Sequence, residues 1–128
     1  MIIIKWTGKA VTKNRRYRIA KVKDGYRLVK TDAYKSWLGE IGYTIKMVAT
    51  KRYKTLQAVM ISSTLSAAAD HHNLVDVVLD AIEACGLIVN DRDAGVVISM
   101  PCTRHKRGED DEIWLFIQEG EEHEGKGN

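Results

Sequence analysis

The segment NLVDVVLDAIEACG, residues 73–86, is apolar around most of a helical circumference. Its few polar positions form one narrow stripe at the spacing i, i+4 and i+7, and they are Asp76, Asp80 and Glu83. Asn73 is placed to cap the start of this helix, with an acid three residues later, and Gly86 is placed to end it. A helix with so little polar surface is buried on most sides. We therefore expect the rest of the chain to pack around it.

Two segments before this helix have periodic patterns of their own. Thr31 can cap a helix that ends near Ala49, in which apolar residues recur at intervals of three and four. These apolar residues are Tyr34, Trp37, Leu38, Ile41, Ile45 and Val48. Ahead of that helix, the segment YRIAKVKDGYRLVKT (17–31) places Asp24 and Gly25 between two partly alternating runs, which predicts a β-hairpin.

Short β-branched runs predict the remaining strands. MIIIKW (1–6) and TLQAVMISST (55–64) each predict one strand. GVVISMPCT (95–103) and EIWLFIQE (112–119) predict a second hairpin, closed by the loop RHKRGEDD (104–111). The order strand, hairpin, helix, strand, helix, hairpin predicts an α+β fold, in which a single domain packs two helices on a mixed, largely antiparallel sheet.

Length and composition set the broad class of the protein. The 128 residues suit one domain, which we expect to span 1–118 and to need no disulfide or metal as a staple. Residues 119–128 are acidic and have too little apolar content to fold, so we expect a disordered tail. Cys85 and Cys102 have no CxxC spacing and no leader precedes them, which predicts free thiols in the cytoplasm. No apolar run approaches the length of a membrane-spanning helix, so we expect no membrane partner.

Charge is divided unevenly along the chain. Up to Lys54 there are 15 Lys and Arg residues and three acids, whereas from Thr55 onward there are five and 14. This division predicts a surface that binds polyanions beside one that is rich in carboxylates. The tail contributes part of the acidic excess. Five aspartates nevertheless lie in the expected body of the domain, and they are Asp70, Asp76, Asp80, Asp91 and Asp93.

Some of these aspartates lie where they could bind a metal ion. Asp70 and His72 are two residues apart before the buried helix, so both side chains point to one side if the chain is extended there. The run GLIV (86–89) can bring the chain back along that helix, which would place Asp91 near Asp70. Two carboxylates and an imidazole would then suit magnesium or manganese. From the residues alone, a capping role for Asp76, a solvated histidine loop and a surface turn at Asp91 stay open.

Other chemistries fit the sequence less well. The possible zinc ligands lack a paired Cys spacing, and they are His71, His72, Cys85 and Cys102. A nuclease centre of the HNH type requires a further histidine on a ββα unit after DHHN, and only His105 and His123 follow. The chain has no nucleophile elbow and no glycine loop that would cradle a phosphate, so we expect no small-molecule cofactor. Asp76 and Asp80 are like charges one helical turn apart, which weakens a helix unless a cation or a basic side chain lies between them.

Six short motifs occur in a defined order. They are KNRRYR (13–18), DAYKSWL (32–38), DHHNL (70–74), LDAIEACG (79–86), LIVND (87–91) and VVISMPCTR (96–104). In this order and spacing the chain resembles the RusA family of Holliday junction resolvases, which are small homodimeric endonucleases of bacteria and phages. The resemblance runs from about residue 4 to residue 120. It implies the same α+β fold.

The resemblance also implies a metal centre. In that family the acids of a D-x-D motif and one later acid bind the metal ions that activate water and stabilise the phosphate. By position these ligands are Asp70, His72 and Asp91, and Asp76 joins them as an expected catalytic residue. His72 replaces the second acid of the motif, and Asp76 aligns with a lysine of the family. Because histidine is a poor ligand for magnesium, we expect Mg²⁺ or Mn²⁺ as cofactor, with manganese preferred.

The implied partner is branched DNA such as a four-way junction, which a homodimer would cut by phosphodiester hydrolysis inside a bacterial or phage-infected cell. The expected DNA contacts lie in the first motif, and they are Lys13, Asn14, Arg15, Arg16, Tyr17 and Arg18. A second hypothesis is that the protein has this fold and binds DNA but has no nuclease activity. In that case the protein binds branched DNA without cutting it.

Overall fold

The computed structural model describes residues 1–65, 74–101 and 110–123, with the backbone alone at Lys13, Asp91 and Pro101. The elements, in chain order, are β1 (Ile2–Gly8), a 3-10 turn (Lys13–Arg15), β2 (Tyr17–Val22), β3 (Gly25–Lys30), α1 (Asp32–Val48), β4 (Leu56–Thr64), α2 (Leu74–Ala84), a second 3-10 turn (Asp91–Ala94), β5 (Val96–Pro101) and β6 (Asp111–Glu119). The prediction of a single α+β domain with two helices and a mixed, largely antiparallel sheet is confirmed.

The main sheet has four strands in the order β1-β6-β4-β5. β4 and β5 are parallel, and the other two pairs are antiparallel. β2 and β3 form a separate two-stranded sheet. Alternate residues of the main sheet, including Ile4, Ile61 and Leu115, are buried in one cluster with the apolar residues of α1 and α2. The helices therefore cover one face of the sheet.

The predicted hairpin between β5 and β6 is wrong. β6 lies between β1 and β4, and β5 pairs in parallel with β4 at the edge of the sheet. The connection from β4 through α2 to β5 is a crossover, which is the connection that parallel neighbours require. β6 takes a central place because Ile113, Leu115 and Ile117 give it a fully buried face. The alternating pattern of a strand identifies its buried face but not its neighbours.

α1 begins and ends close to the predicted positions. The hydroxyl of Thr31 accepts a hydrogen bond from the Tyr34 N–H at 3.2 Å, as an N-cap should. Five of the six residues of the predicted stripe are buried. The exception is Val48, the last residue of α1, which is 55% exposed.

α2 ends in a Schellman motif. The Gly86 N–H donates to the Glu83 carbonyl at 3.1 Å, and the Leu87 N–H donates to the Ile82 carbonyl at 3.1 Å. Gly86 adopts a φ of +81°, which favours glycine. The predicted cap at Asn73 lies outside the described residues. The run after Gly86 is not a strand, since Leu87 and Ile88 turn into the core.

The first hairpin forms as predicted, with its turn moved by one residue. Val22 pairs with Gly25, so Lys23 and Asp24 are the two residues of the turn. Gly25 opens β3 with a φ of +132°, a conformation that L side chains rarely adopt. The Asp-Gly signal therefore locates the turn because of the glycine's backbone freedom.

The first residues of the expected tail belong to the fold. Glu119 ends β6, the Glu121 carbonyl accepts from the Lys54 N–H at 2.8 Å, and the His123 N–H donates to the Arg52 carbonyl at 2.9 Å. Residues 124–128 lie outside the described part of the chain. Within that part, neither helix is long and apolar enough to span a membrane.

Candidate functional site

The predicted metal centre lies partly outside the described residues. Asp70 and His72 belong to the segment 66–73, which follows Leu65 and precedes α2. Their geometry, and the role of His72 as a ligand, stay predictions from the sequence. The described residues do fix the two flanks of this segment, because Leu65 and Leu74 are both fully buried in the core.

Asp91 opens the second 3-10 turn, where the side chain of Asn90 caps the turn by accepting from the Arg92 N–H at 3.1 Å. This turn contacts both α2 and β4. It is followed by Gly95, at which a Cβ atom would lie 2.4 Å from the Gln57 carbonyl oxygen. The second 3-10 turn therefore lies beside the start of β4. The segment with Asp70 leaves from the other end of β4, so whether the two acids meet stays a prediction.

Asp76 and Asp80 have different environments on α2. Asp76 is exposed in the first turn of the helix, where a negative charge interacts favourably with the helix dipole. Asp80 is partly buried, and it accepts a hydrogen bond from the Tyr34 hydroxyl at 2.9 Å. The ammonium group of Lys30 lies 3.9 Å from the same carboxylate. Lys30 therefore offsets the charge of Asp80, which is one of the two like charges on this helix.

Tyr34 donates the hydrogen bond to Asp80 at every physiological pH. Burial, and then the hydrogen bond to the Asp80 carboxylate, raise the pKa of the Tyr34 phenol well above its usual value. Tyr34 thus remains protonated and can donate. Its ring also lies 5.4 Å from the ring of Tyr17, measured between centroids, so it joins α2 to the base of the first hairpin.

Among residues 1–65, 74–101 and 110–123, no three His, Cys, Asp or Glu side chains are close enough together to hold a metal ion. The predicted ligand set includes two residues outside these ranges, so this observation does not bear on it. The chemistry of that set, two carboxylates and one imidazole, fits manganese better than magnesium.

The predicted DNA contacts divide into exposed residues and one buried residue. Asn14, Arg15, Tyr17 and Arg18 are exposed, and the side chain of Lys13 is not described. Arg16 is 3% exposed. Its guanidinium lies 5.5 Å from the Trp37 ring centroid, and its Nε donates to the Val11 carbonyl at 3.2 Å. In this conformation Arg16 holds the loop against α1 and leaves its neighbours at the surface.

A buried acid fixes the other end of the same loop. Asp111 is buried, and its Oδ2 accepts from the Ala10 N–H at 2.7 Å. The sequence predicts a loop position for this residue, whereas it begins β6. The basic loop is therefore clamped at both ends to the main sheet and to α1. The contact between Ala10 and Asp111 could not be predicted from local sequence patterns, because the two residues are 101 positions apart.

We refer to the hairpin of β2 and β3, residues 17–30, as the ribbon. It carries five basic residues and one acid, and most of its side chains are exposed on both faces. The register places Tyr17, Ile19, Lys21, Tyr26, Leu28 and Lys30 on one face and Arg18 and Arg27 on the other. Tyr26 is 74% exposed and Ile19 is 71% exposed. These exposed apolar side chains make the ribbon the candidate contact surface for the partner that the sequence predicts.

Comparison with known proteins adds no family assignment to these features. No protein-family model matches the chain, and no curated protein matches it. The functional argument therefore depends on the residues and on the geometry described above.

Proposed function

We propose that the protein is a metal-dependent endonuclease that binds branched DNA through the ribbon and hydrolyses phosphodiester bonds with the carboxylates of its acidic half. The observation that carries this proposal is the ribbon itself: an exposed, strongly basic β-hairpin with aromatic side chains, clamped at its base to the same α1 that contacts α2. A noncatalytic protein that binds branched DNA is the second hypothesis.

The shape and charge of the ribbon support DNA as the ligand. A two-stranded β-ribbon fits the major groove of a duplex, which is about 12 Å wide. Arg18, Lys21, Lys23 and Arg27 are exposed along it, and they can contact phosphates on both sides without reading sequence. Tyr17 and Tyr26 offer aromatic surface to sugars or unpaired bases. A hairpin that only faced solvent would have no use for exposed apolar side chains such as Ile19 and Tyr26, so their exposure favours a ligand.

The acidic half supports the chemistry. Asp70, His72 and Asp91 are the proposed ligands, and a bound cation there would supply Lewis acidity to the scissile phosphate. Asp76, exposed at the start of α2, adds negative charge near the end of segment 66–73. The contact of Asp80 with Lys30 and Tyr34 keeps that aspartate out of the proposed ligand set and joins the ribbon to α2, which separates Asp70 and His72 from Asp91 in the chain.

The role of the ribbon can be tested by the binding of a labelled four-way junction at several salt concentrations. We expect Arg18→Ala with Arg27→Ala to weaken binding and to reduce the slope of log affinity against log salt by about two. The matched control is Lys51→Gln with Lys54→Gln, which removes two charges that pair with Glu122 and Glu121. Equal effects of the two double variants would show that net charge alone, rather than the ribbon, drives binding.

The proposed homodimer has a suitable surface on the sheet. The open sheet face, which is the face opposite the helices, has one apolar row across all four strands, formed by Ile3, Phe116, Met60 and Ile98. Trp114 stacks on Phe116 in this face, with ring centroids 6.4 Å apart. The ammonium group of Lys5 lies 3.4 Å from Glu112. The two charges of this pair offset each other, which reduces the repulsion between two copies that meet through this face.

Sedimentation or light scattering tests the surface. Ile98→Glu places a charge on an edge strand at a partly exposed position, so the monomer should still fold. We expect the wild type to be a dimer and Ile98→Glu to be a monomer, with Tyr26→Glu on the ribbon as a control that remains dimeric. A monomeric wild type, or a dimeric Ile98→Glu, would contradict the use of this face.

A further inference from the structure

A groove of about 560 Å³ runs between α1 and α2. The two helices approach closely at Gly42, where an added Cβ would lie 3.1 Å from the Cβ of Cys85. One turn earlier, Gly39 leaves open space above the helix backbone. Ligand sites in proteins have volumes of roughly 300–1,000 Å³. The groove is therefore large enough for a ligand of the size of a nucleotide.

The groove has a basic rim. Lys30, Lys35 and Lys46 line it, and none of the residues that line it is acidic. Lys35 and Lys46 form no ion pair with any residue of the described ranges. They are eleven residues apart on α1, which corresponds to roughly 16 Å along the helix axis. Two unneutralised ammonium groups at the two ends of one groove favour a ligand with more than one negative charge.

Between the two lysines the groove is apolar. Its floor is formed by Leu38, the two glycines and Ala84. Tyr43 stands beside this floor with 68% of its surface exposed. An exposed aromatic ring beside an apolar floor provides a stacking surface for a flat aromatic group. Anionic ends around an aromatic centre are the chemistry of a nucleotide in a single strand.

The groove also adjoins the ribbon, because Lys30 is both the last residue of β3 and a residue of the rim. We propose that the groove holds a short unstacked stretch of a single DNA strand, with one base against Tyr43 and backbone phosphates on either side of it at Lys35 and Lys46. The proposal rests on the proposed DNA-binding function. It adds a preference for unpaired nucleotides. A duplex contains none, whereas the branch point of a junction can expose them.

Cys85 gives a direct test, because this residue lines the groove and is partly exposed. In a Cys102→Ser background, the rate of alkylation of Cys85 is measured with and without a saturating oligothymidylate. Burial raises the pKa of this thiol, so the reaction is run at mildly alkaline pH. We expect the oligonucleotide to slow alkylation at least about fivefold, because a strand that stacks on Tyr43 in the groove would cover Cys85. Thymidine monophosphate at the same phosphate concentration should leave the rate unchanged.

The oligonucleotide's affinity is then measured by fluorescence anisotropy. Tyr43→Ala should weaken single-strand binding by about tenfold, as the loss of one base stack predicts, and should leave duplex binding unchanged. Lys51→Gln, outside the groove, is the control. If DNA binds but neither protects Cys85 nor responds to Tyr43→Ala, the groove is not the nucleotide site while the ribbon still binds DNA. Protection by the mononucleotide alone would contradict a DNA strand as the ligand. If no DNA binds at all, the proposed function fails, and this inference fails with it.

Discussion

Arg15 and Arg16 are adjacent in the sequence and have opposite environments. Arg15 is exposed, whereas Arg16 is buried against Trp37. We expect Arg16→Ala to lower the free energy of unfolding by about 2 kcal/mol, since it removes a buried cation-π contact and a charged hydrogen bond. Arg15→Ala should change stability by less than about 0.5 kcal/mol and should weaken DNA binding. Urea unfolding of both variants measures the difference, and equal losses of stability would contradict the buried position of Arg16.

The contact between Tyr34 and Asp80 makes a second prediction. Tyr34→Phe removes the donor of a hydrogen bond to a carboxylate, so it should lower the free energy of unfolding by about 1–2 kcal/mol. Asp80→Asn should be coupled to it in a double-mutant cycle. If Asp80 instead belonged to the metal centre, Asp80→Asn would reduce DNA cleavage without any coupling to Tyr34. The cycle and a cleavage assay together separate these outcomes.

Single residues show where the sequence is informative and where it is not. The like charges of Asp76 and Asp80 predicted a cation or a basic side chain between them, and they did not identify Lys30, which lies beside Asp80. The cluster KNRRYR predicted a basic surface and could not identify Arg16 as buried, because its partner Trp37 is more than 20 residues away. Burial of a charge depends on what the fold places above it, which local sequence does not contain.

At the level of elements, Gly95 and Gly39 are a matched pair. Gly95 has a φ of +72°, and a Cβ there would lie 2.4 Å and 2.5 Å from two carbonyl oxygens of β4, whereas a Cβ at Gly39 meets nothing within 4 Å. We expect Gly95→Ala to lower the free energy of unfolding by about 3 kcal/mol through backbone strain and overlap. Gly39→Ala, in the interior of α1, should raise it by about 0.5–1 kcal/mol. Thermal unfolding measures both. A neutral Gly95→Ala would contradict the close packing of the second 3-10 turn on β4.

The helices could be predicted from the sequence better than the sheet could. Thr31, Gly86 and the apolar stripes gave the ends and the buried faces of α1 and α2 because helical contacts are local. The partners of β5 and β6 could not be predicted, because strand pairing joins residues that are distant in the chain. The metal ligands present the same difficulty, since Asp70 and Asp91 are separated by a complete helix. The structure fixes the flanks of segment 66–73 and leaves this contact as a prediction.

For the whole molecule, the division of charge in the sequence becomes a division of surfaces. The basic half forms the ribbon and the rim of the groove, and the acidic half contains α2 and the proposed metal ligands. The open sheet face carries the ion pair of Lys5 and Glu112. In the proposed function these three surfaces have separate roles, which are binding of DNA, binding of a metal ion at the scissile phosphate, and contact with a second copy of the chain.

Cutting of a labelled four-way junction, with manganese, magnesium or a chelator and with denaturing gels as readout, tests the proposed function most directly. We expect the wild type to cut with manganese and to bind without cutting in the chelator. Asp70→Asn and Asp91→Asn should abolish cutting and leave binding intact, and His72→Asp should increase cutting with magnesium. A wild type that binds the junction and cuts with neither metal would contradict the nuclease and leave the noncatalytic binder. Cutting at the wild-type rate by Asp70→Asn and Asp91→Asn would contradict the proposed metal ligands.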